Sequence, residues 1–228
     1  MKILLVSATT FEIRPLLSQL VFQGSDNDQI SHYRCRNAAV DVLITGIGMV
    51  ATSFYLGKQL HAASYDVAIN AGICGSFRES IPIGKVVRIT QDYIPELGAE
   101  EGEQFHSITS LGLLDPDTPP YRKGRLISDP KIGSPTLTTL PKATGITVNT
   151  IHGNAGSIEK IKLHCDPDTE SMEGAAFFYA CLLTEVPCVQ VRSVSNFVEV
   201  RDKSRWNVEL ALKNLNKSVG NILKEIAK

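Results

Sequence analysis

Short, largely apolar runs recur along this chain with segments of helical period between them, and few architectures accommodate that alternation. Ile3 to Ala8, Asp66 to Asn70 and the start of Cys188 to Ser195 are such runs. A strand without a polar face must be covered on both sides, as strands inside a parallel sheet are. Further strands are expected at Tyr33 to Arg36 and Val40 to Thr45, around a turn at Asn37, and at Lys85 to Gln91 and Ile146 to Thr150. Between them lie helical patterns. Thr9 or Thr10 caps a helix with Glu12 in its first turn and Leu16, Leu17 and Leu20 on one side. Gly46 and Gly48 open a helix carrying Val50, Phe54, Leu56 and Leu60, and two more are expected over Ser157 to His164 and Gly174 to Leu183. The last begins near Asp202 or Ser204 and repeats Val208, Leu212, Leu215, Val219, Ile222 and Ile226. Strands alternating with helices predict an α/β fold, its sheet largely parallel and covered on both faces. From Ile94 to about Gly145 the pattern weakens into a proline-rich surface excursion, of the kind that serves as a lid or interface. No internal repeat or second unit interrupts the rhythm, so residues 1–228 read as one domain.

Charge narrows the partners. Acidic and basic residues are intermixed to a net charge of −1, and no basic block exists to grip a phosphate backbone. A small molecule is expected rather than nucleic acid. Cys35, Cys74, Cys165, Cys181 and Cys188 are odd in number and form no CxxC pair. That fits free thiols in a reducing cytosol, and they do not group with histidines at zinc-site spacing. No stretch approaches a membrane span, and the opening apolar run is too short for a signal peptide. A cytoplasmic protein is expected.

In open α/β sheets, ligands bind where loops leave the carboxyl ends of strands. Four polar clusters fall there: Thr9 to Glu12, Gly72 to Ser76, Ser171 to Gly174 and Arg192 to Asn196. Gly46-Ile47-Gly48 and Gly72-Ile73-Cys74-Gly75 complete no phosphate-binding motif and by themselves read as tight-turn packing. Glu12 by itself reads as a carboxylate favoured by a helix dipole. Glu173 stands among small residues at a helix start, where a buried carboxylate needs a partner. Two adjacent ribose hydroxyls, both donors, would supply one. Arg192 fits a surface ion pair equally well; its company of two carboxylates and the Asn196 amide sets it apart.

Asn70-Ala71-Gly72, Ser171-Met172-Glu173-Gly174-Ala175-Ala176 and Arg192-Ser193-Val194-Ser195-Asn196, in this order and spacing, resemble the nucleoside phosphorylase/nucleosidase family along nearly the whole chain. The futalosine-cleaving branch is the most similar, through Glu96-Leu97-Gly98-Ala99-Glu100 and Ser195-Asn196-Phe197-Val198-Glu199. The resemblance implies a three-layer α/β/α sandwich around a mixed, largely parallel sheet. It also implies hydrolysis without metal or cofactor, and release of hypoxanthine from futalosine, a nucleoside of the alternative menaquinone route. By the same resemblance Glu12 orients the attacking water with Arg192 nearby. Met172 and Glu173 bind the ribose, Asn196 reads the base, and Ile73, Ile151 and Phe105 complete the substrate contacts. Related methylthioadenosine nucleosidases carry Asp in place of Asn196 and an aromatic base-stacker in place of Ile151. Arg36, Arg78, Arg88 and His106 are candidates for the carboxylate-bearing end of futalosine. Family members associate, so at least a homodimer is expected, with the proline-rich excursion reaching a neighbour's site.

Breaking an N-glycosidic bond builds positive charge on the sugar and negative charge on the purine, and two carboxylates can divide that work as they do in glycosidases. A phosphorylase would instead need a cationic pocket, for which Arg14, Arg78 and Arg192 are available, and a carboxylate at the water position repels phosphate. A noncatalytic nucleoside-binding module would keep Glu173 and Asn196 with no use for Glu12.

Overall fold

The computed structural model describes residues 1–228. Its first half comprises β1 (Lys2–Ser7), α1 (Thr10–Leu17), β2 (Val21–Ser25), β3 (Ile30–Cys35), β4 (Ala38–Ile44), α2 (Met49–Ala62), β5 (Val67–Ser76) and β6 (Val86–Asp92). The proline-rich excursion folds as a hairpin of β7 (Gly98–Glu101) and β8 (Gln104–Ser107), a second of β9 (Tyr121–Arg122) and β10 (Arg125–Ile127), and the short helix α3 (Pro135–Thr139). The chain closes with β11 (Lys142–Thr147), α4 (Ala155–His164), β12 (Thr169–Ser171), α5 (Gly174–Leu183), β13 (Cys188–Phe197) and α6 (Val208–Ile226).

The sheet runs β2-β3-β4-β1-β5-β12-β11-β6-β10-β9, with β13 bonded to both β5 and β6. β1 lies parallel to β4 and β5, and β13 lies parallel to β5 but antiparallel to β6, so the sheet is mixed. Alternate residues of β1 enter different cores. Ile3 and Leu5 pack with Ile13 and Leu16 of α1 and with Leu215, Val219 and Ile222 of α6, whereas Leu4 and Val6 pack with Leu56 of α2 and Phe177 and Phe178 of α5. Each such side chain withdrawn from water contributes about 1.5–3 kcal/mol, which is why β1 carries no polar residue between Lys2 and Ser7.

One feature of the sheet creates the site. β1 accompanies β5 only from Val67 to Asn70, and β12 reaches the same edge only at Gly75 and Ser76. Between them that edge of β5 has no strand beside it, while its other edge stays paired with β13. The expectation that Gly72 to Gly75 form a loop is thereby corrected: they continue the strand, because β13 satisfies their backbone on one side. β13 likewise continues through Asn196. β2 and β12 were not expected, and the strand expected at Ile146 to Thr150 lies at Lys142–Thr147.

Two helices also depart from expectation. On α2 only Thr52 and Leu56 are buried, while Val50 and Phe54 are 84% and 64% exposed. The inward face of α2 is therefore narrower than its apolar residues suggest, and Ile47, Val50 and Phe54 form an outward stripe. The segment from Asp202 makes only a short 3-10 turn, and α6 begins after Asn207, whose side chain accepts from the Leu210 N–H.

Candidate active site

Glu12 stands at the third position of α1, where its Oε2 accepts from the N–H of the capping residue Thr9 at 3.2 Å, the Thr9 hydroxyl at 3.1 Å and the Ser7 hydroxyl at 3.3 Å. Its Oε1 accepts from the Ile73 N–H at 3.1 Å, one of the backbone groups that the missing strand leaves free. Four donors on one buried carboxylate fix its orientation. The helix beneath is clamped from far along the chain. Asn216 of α6 accepts from the Leu16 N–H at 2.9 Å and donates to the Glu12 carbonyl at 2.8 Å, so its amide bridges the two groups that would otherwise bond each other along α1. The neighbouring Pro15 offers no N–H of its own.

Glu173 caps α5 and is buried; its Oε1 accepts from the N–H of Gly48, the capping residue of α2, at 3.1 Å. Burial pushes its carboxyl above the usual range, opposed by the Arg192 guanidinium and the Gly48 bond and reinforced by the charge of Glu12. Arg192 is 2% exposed. It donates from Nε to Gln190 at 3.1 Å and from Nη2 to Asn70 at 2.5 Å, and its Nη1 lies 3.8 Å from Glu173. Gln190 in turn donates to Asp92, which also accepts from the Thr147 hydroxyl at 2.8 Å. Asp92 is fully buried, and desolvation lifts its carboxyl to about 6.

Asn196 follows a bulge in β13: Val194 pairs with Cys74 and Asn196 with Gly75, leaving Ser195 as the extra residue. A bulge re-aims the side chains around it, and Ser195 and Asn196 both face the same cavity. The Asn196 amide is held on both sides, its Oδ1 accepting from the Ser195 hydroxyl at 2.8 Å and its Nδ2 donating to the Phe197 carbonyl at 2.9 Å. One Nδ2 hydrogen remains for a ligand.

A cavity of about 350 Å³ brings together Glu12, Ile73, Ile151, Met172, Glu173 and Asn196, with Phe11, Ile47 and Trp206 also in its wall. Arg192 is not in that wall; its Nη1 approaches Glu173 at 3.8 Å. Phe105 departs from the expected set. It lies on β8, packs edge-on against His164 and lines a different cavity with Tyr93 and Arg125, because the β7–β8 hairpin turns toward α4. The candidates for a distal carboxylate are also corrected, since none lines the site. Arg36 donates to the Lys224 carbonyl, Arg78 pairs with Asp166 and Asp168, Arg88 pairs with Asp129, and His106 faces Glu101.

The sequence reading passed over one pair. Glu170 on β12 is fully buried in the cavity wall, accepting from the His152 N–H at 3.1 Å and meeting His152 Nδ1 at 2.7 Å. A carboxylate two residues before Met172, between Thr169 and Ser171, was its only signal. No group of three or more His, Cys, Asp or Glu side chains converges as metal ligands, and no helix is long and apolar enough to cross a membrane.

Known proteins share this architecture. A futalosine hydrolase from Streptomyces coelicolor is 29% identical over 80% of this chain and 77% of its own length. Among solved structures, a methylthioadenosine/S-adenosylhomocysteine nucleosidase from S. pneumoniae superposes with a TM-score of 0.82 at 20% identity, covering 99% of each chain. A futalosine hydrolase from Helicobacter pylori superposes with a TM-score of 0.80 at 16% identity, covering 99% of this chain and 98% of its own. The family model described as the phosphorylase superfamily matches residues 2–228, and the chain belongs to that superfamily.

Proposed function

We propose that this protein hydrolyses the N-glycosidic bond of a purine nucleoside, with futalosine as its substrate. The observation that carries this reading is the pairing of Glu12 and Glu173 in one cavity, the first held in place by four donors. Glu12 takes a proton from water as the oxygen attacks C1′. The C1′–N9 bond breaks with its electron pair leaving on the purine, which takes up a proton from solvent. General-base help of this kind contributes about 10²–10⁴-fold. Glu173, beside Met172, accepts from the ribose hydroxyls and favours the cationic sugar, and Asn196 donates its free N–H to the base as charge grows there. Arg192, its Nη1 3.8 Å from Glu173, opposes the desolvation of that carboxylate.

A phosphorylase is disfavoured by the cations: Arg14 is exposed on α1, Arg78 is paired with two aspartates, and Arg192 is spent on Gln190, Asn70 and Glu173. The preference for futalosine rests on Asn196, an amide that donates a hydrogen bond but delivers no proton and so suits the better-leaving 6-oxopurine, and on the likeness to the Streptomyces enzyme. The same proposal takes residues 1–228 as one cytoplasmic domain with helices layered on both faces of the sheet, which the two cores flanking β1 support. It also includes a homodimer, because the Ile47, Val50 and Phe54 stripe runs outward from the cavity mouth and a second copy would cover it. The deciding experiment incubates the protein with futalosine, inosine and methylthioadenosine, with and without phosphate. Free hypoxanthine from futalosine without phosphate is expected. Phosphate dependence, or a faster reaction with methylthioadenosine, refutes the assignment.

A further inference from the structure

We propose that Asp92 is a positioning residue for the sugar-binding carboxylate Glu173: one chain of hydrogen bonds from it sets the guanidinium of Arg192, and a second frees the Glu173 side chain from its own helix. The inference rests on the nucleosidase reading and deepens it. Neither Asp92 nor its partner Gln190 reaches the cavity, so any effect on a ligand passes through Glu173.

Both chains end on Asp92. Arg192 has only donors, so the Gln190 oxygen must face its Nε, at 3.1 Å, which turns the Gln190 amide nitrogen toward Asp92 Oδ2, also at 3.1 Å. Asn70 holds Nη2 of the same guanidinium. Two contacts fix its plane with Nη1 toward Glu173, whereas the Asn70 contact alone would let it swing. On the other side, the Thr147 hydroxyl accepts from the Ala175 N–H at 2.7 Å, so its single proton goes to Asp92 Oδ1 at 2.8 Å. Each oxygen of Asp92 must therefore accept, which an ionised carboxylate does and an amide does not.

The second chain acts at the start of α5. Ala175 is the second residue of that helix, and a capping side chain ordinarily accepts from the N–H there or one residue on. Glu173 is the capping residue and makes no such bond. Thr147 takes the Ala175 N–H instead, which leaves the Glu173 carboxylate to Gly48, Arg192 and the cavity. Gly174, the intervening residue, is pressed against this network: a Cβ on it would run into Asp92 Oδ2 and the Gln190 amide. As packing alone the arrangement is expensive. Asp92 is fully buried, and an apolar pair would fill the same space without the desolvation penalty.

The test measures kcat/KM of the full-length protein on futalosine and on its 2′-deoxy analogue. Asp92→Asn keeps the shape but leaves one acceptor for two donors, so one of the two chains breaks. It is expected to lower the futalosine value by about tenfold to hundredfold, the worth of one charge-assisted bond, and the 2′-deoxy value by less, narrowing their ratio by about threefold or more. Adding Gln190→Glu restores the pattern with the net charge of wild type. The new amide then donates to the new carboxylate, which accepts from Arg192, and Thr147 regains its acceptor. The double variant is expected to recover the ratio to within about threefold of wild type. General loosening of the fold would lower both substrates alike, and a second buried substitution would worsen it. An unchanged ratio in Asp92→Asn overturns the proposal, and so does a double variant no better than the single one. Either result alongside wild-type hydrolysis of futalosine removes only the role of Asp92, whereas a wild type that hydrolyses no nucleoside removes the functional reading.

Discussion

Replacing Gly72 with alanine adds one methyl group where the site has no room for it. The added Cβ would fall on Nη1 of Arg192 and lie 3.1 Å from Oε1 of Glu12. Gly72 belongs to β5 and is paired with Arg192 itself across to β13, so the backbone cannot retreat without breaking that ladder. The guanidinium must move instead, losing its bonds to Gln190 and Asn70. Hydrogen bonds to charged groups contribute about 1.5–3 kcal/mol each, so the loss of two is on the order of 3–6 kcal/mol. For a chain of this size each kcal/mol lowers Tm by about 2–4 °C, which predicts a fall of roughly 10 °C. Glu173 would then face the charge of Glu12 without the opposing guanidinium, and kcat/KM on futalosine is expected to drop by about a hundredfold, near 2.7 kcal/mol. Gly57→Ala is the matched control: it lies within α2 with nothing within 4 Å of an added Cβ, so it should leave activity unchanged and stability equal or up to about 1 kcal/mol higher. Thermal melts and steady-state kinetics of both variants decide the matter. Wild-type Tm and kcat/KM in Gly72→Ala would refute the claim that the close approach of Arg192 organises the site.

Three further outcomes are expected. Glu12→Gln should lose turnover by at least about 10²-fold while ligand affinity stays within about tenfold, read by single-turnover kinetics and calorimetry; a wild-type kcat would reduce Glu12 to a capping residue. Glu173→Ala should erase the preference of wild type for ribo- over 2′-deoxyribonucleosides, and equal wild-type rates on the two sugars would exclude its contact with the hydroxyls. Asp92→Asn tests the buried network through pH. The folded-state carboxyl lies near 6, above its ordinary value of 3.8, so its contribution to stability is full below that ordinary value and lost as pH rises through 6. The variant should therefore gain stability relative to wild type between pH 4 and pH 7.5, by on the order of 3 kcal/mol; a Tm difference that stays constant with pH contradicts it.

The periodic parts of this molecule were legible in the sequence. Gly174 to Leu183 is observed as α5 with those bounds, and the apolar run at Ile3 betrays β1 because burial on both faces leaves no polar position. What escaped was set by partners distant in the chain. β5 continues through Gly72 and Gly75 only because β13 pairs with it, and no local preference of a glycine pair announces that. β12 has three residues, too few for a period, yet it carries Glu170 into the site. Glu12, Met172, Glu173 and Asn196 share one cavity because each sits at or beside a strand end, whereas Phe105 lines another because hairpin direction is not encoded in its local pattern. Val50 and Phe54 misled for a different reason, since an apolar stripe reads the same whether it faces a core or another molecule.

The clamp of Asn216 on α1 gives the site an order of assembly. Synthesis proceeds from the N-terminus, so Glu12 leaves the ribosome some two hundred residues ahead of the amide that bridges its carbonyl to Leu16. Until α6 has emerged and docked, the helix bearing Glu12 lacks both its apolar neighbours Leu215 and Val219 and this tether. A growing chain thus holds a cavity wall but not an aligned carboxylate. The cavity is therefore complete only once α6 has folded back on α1.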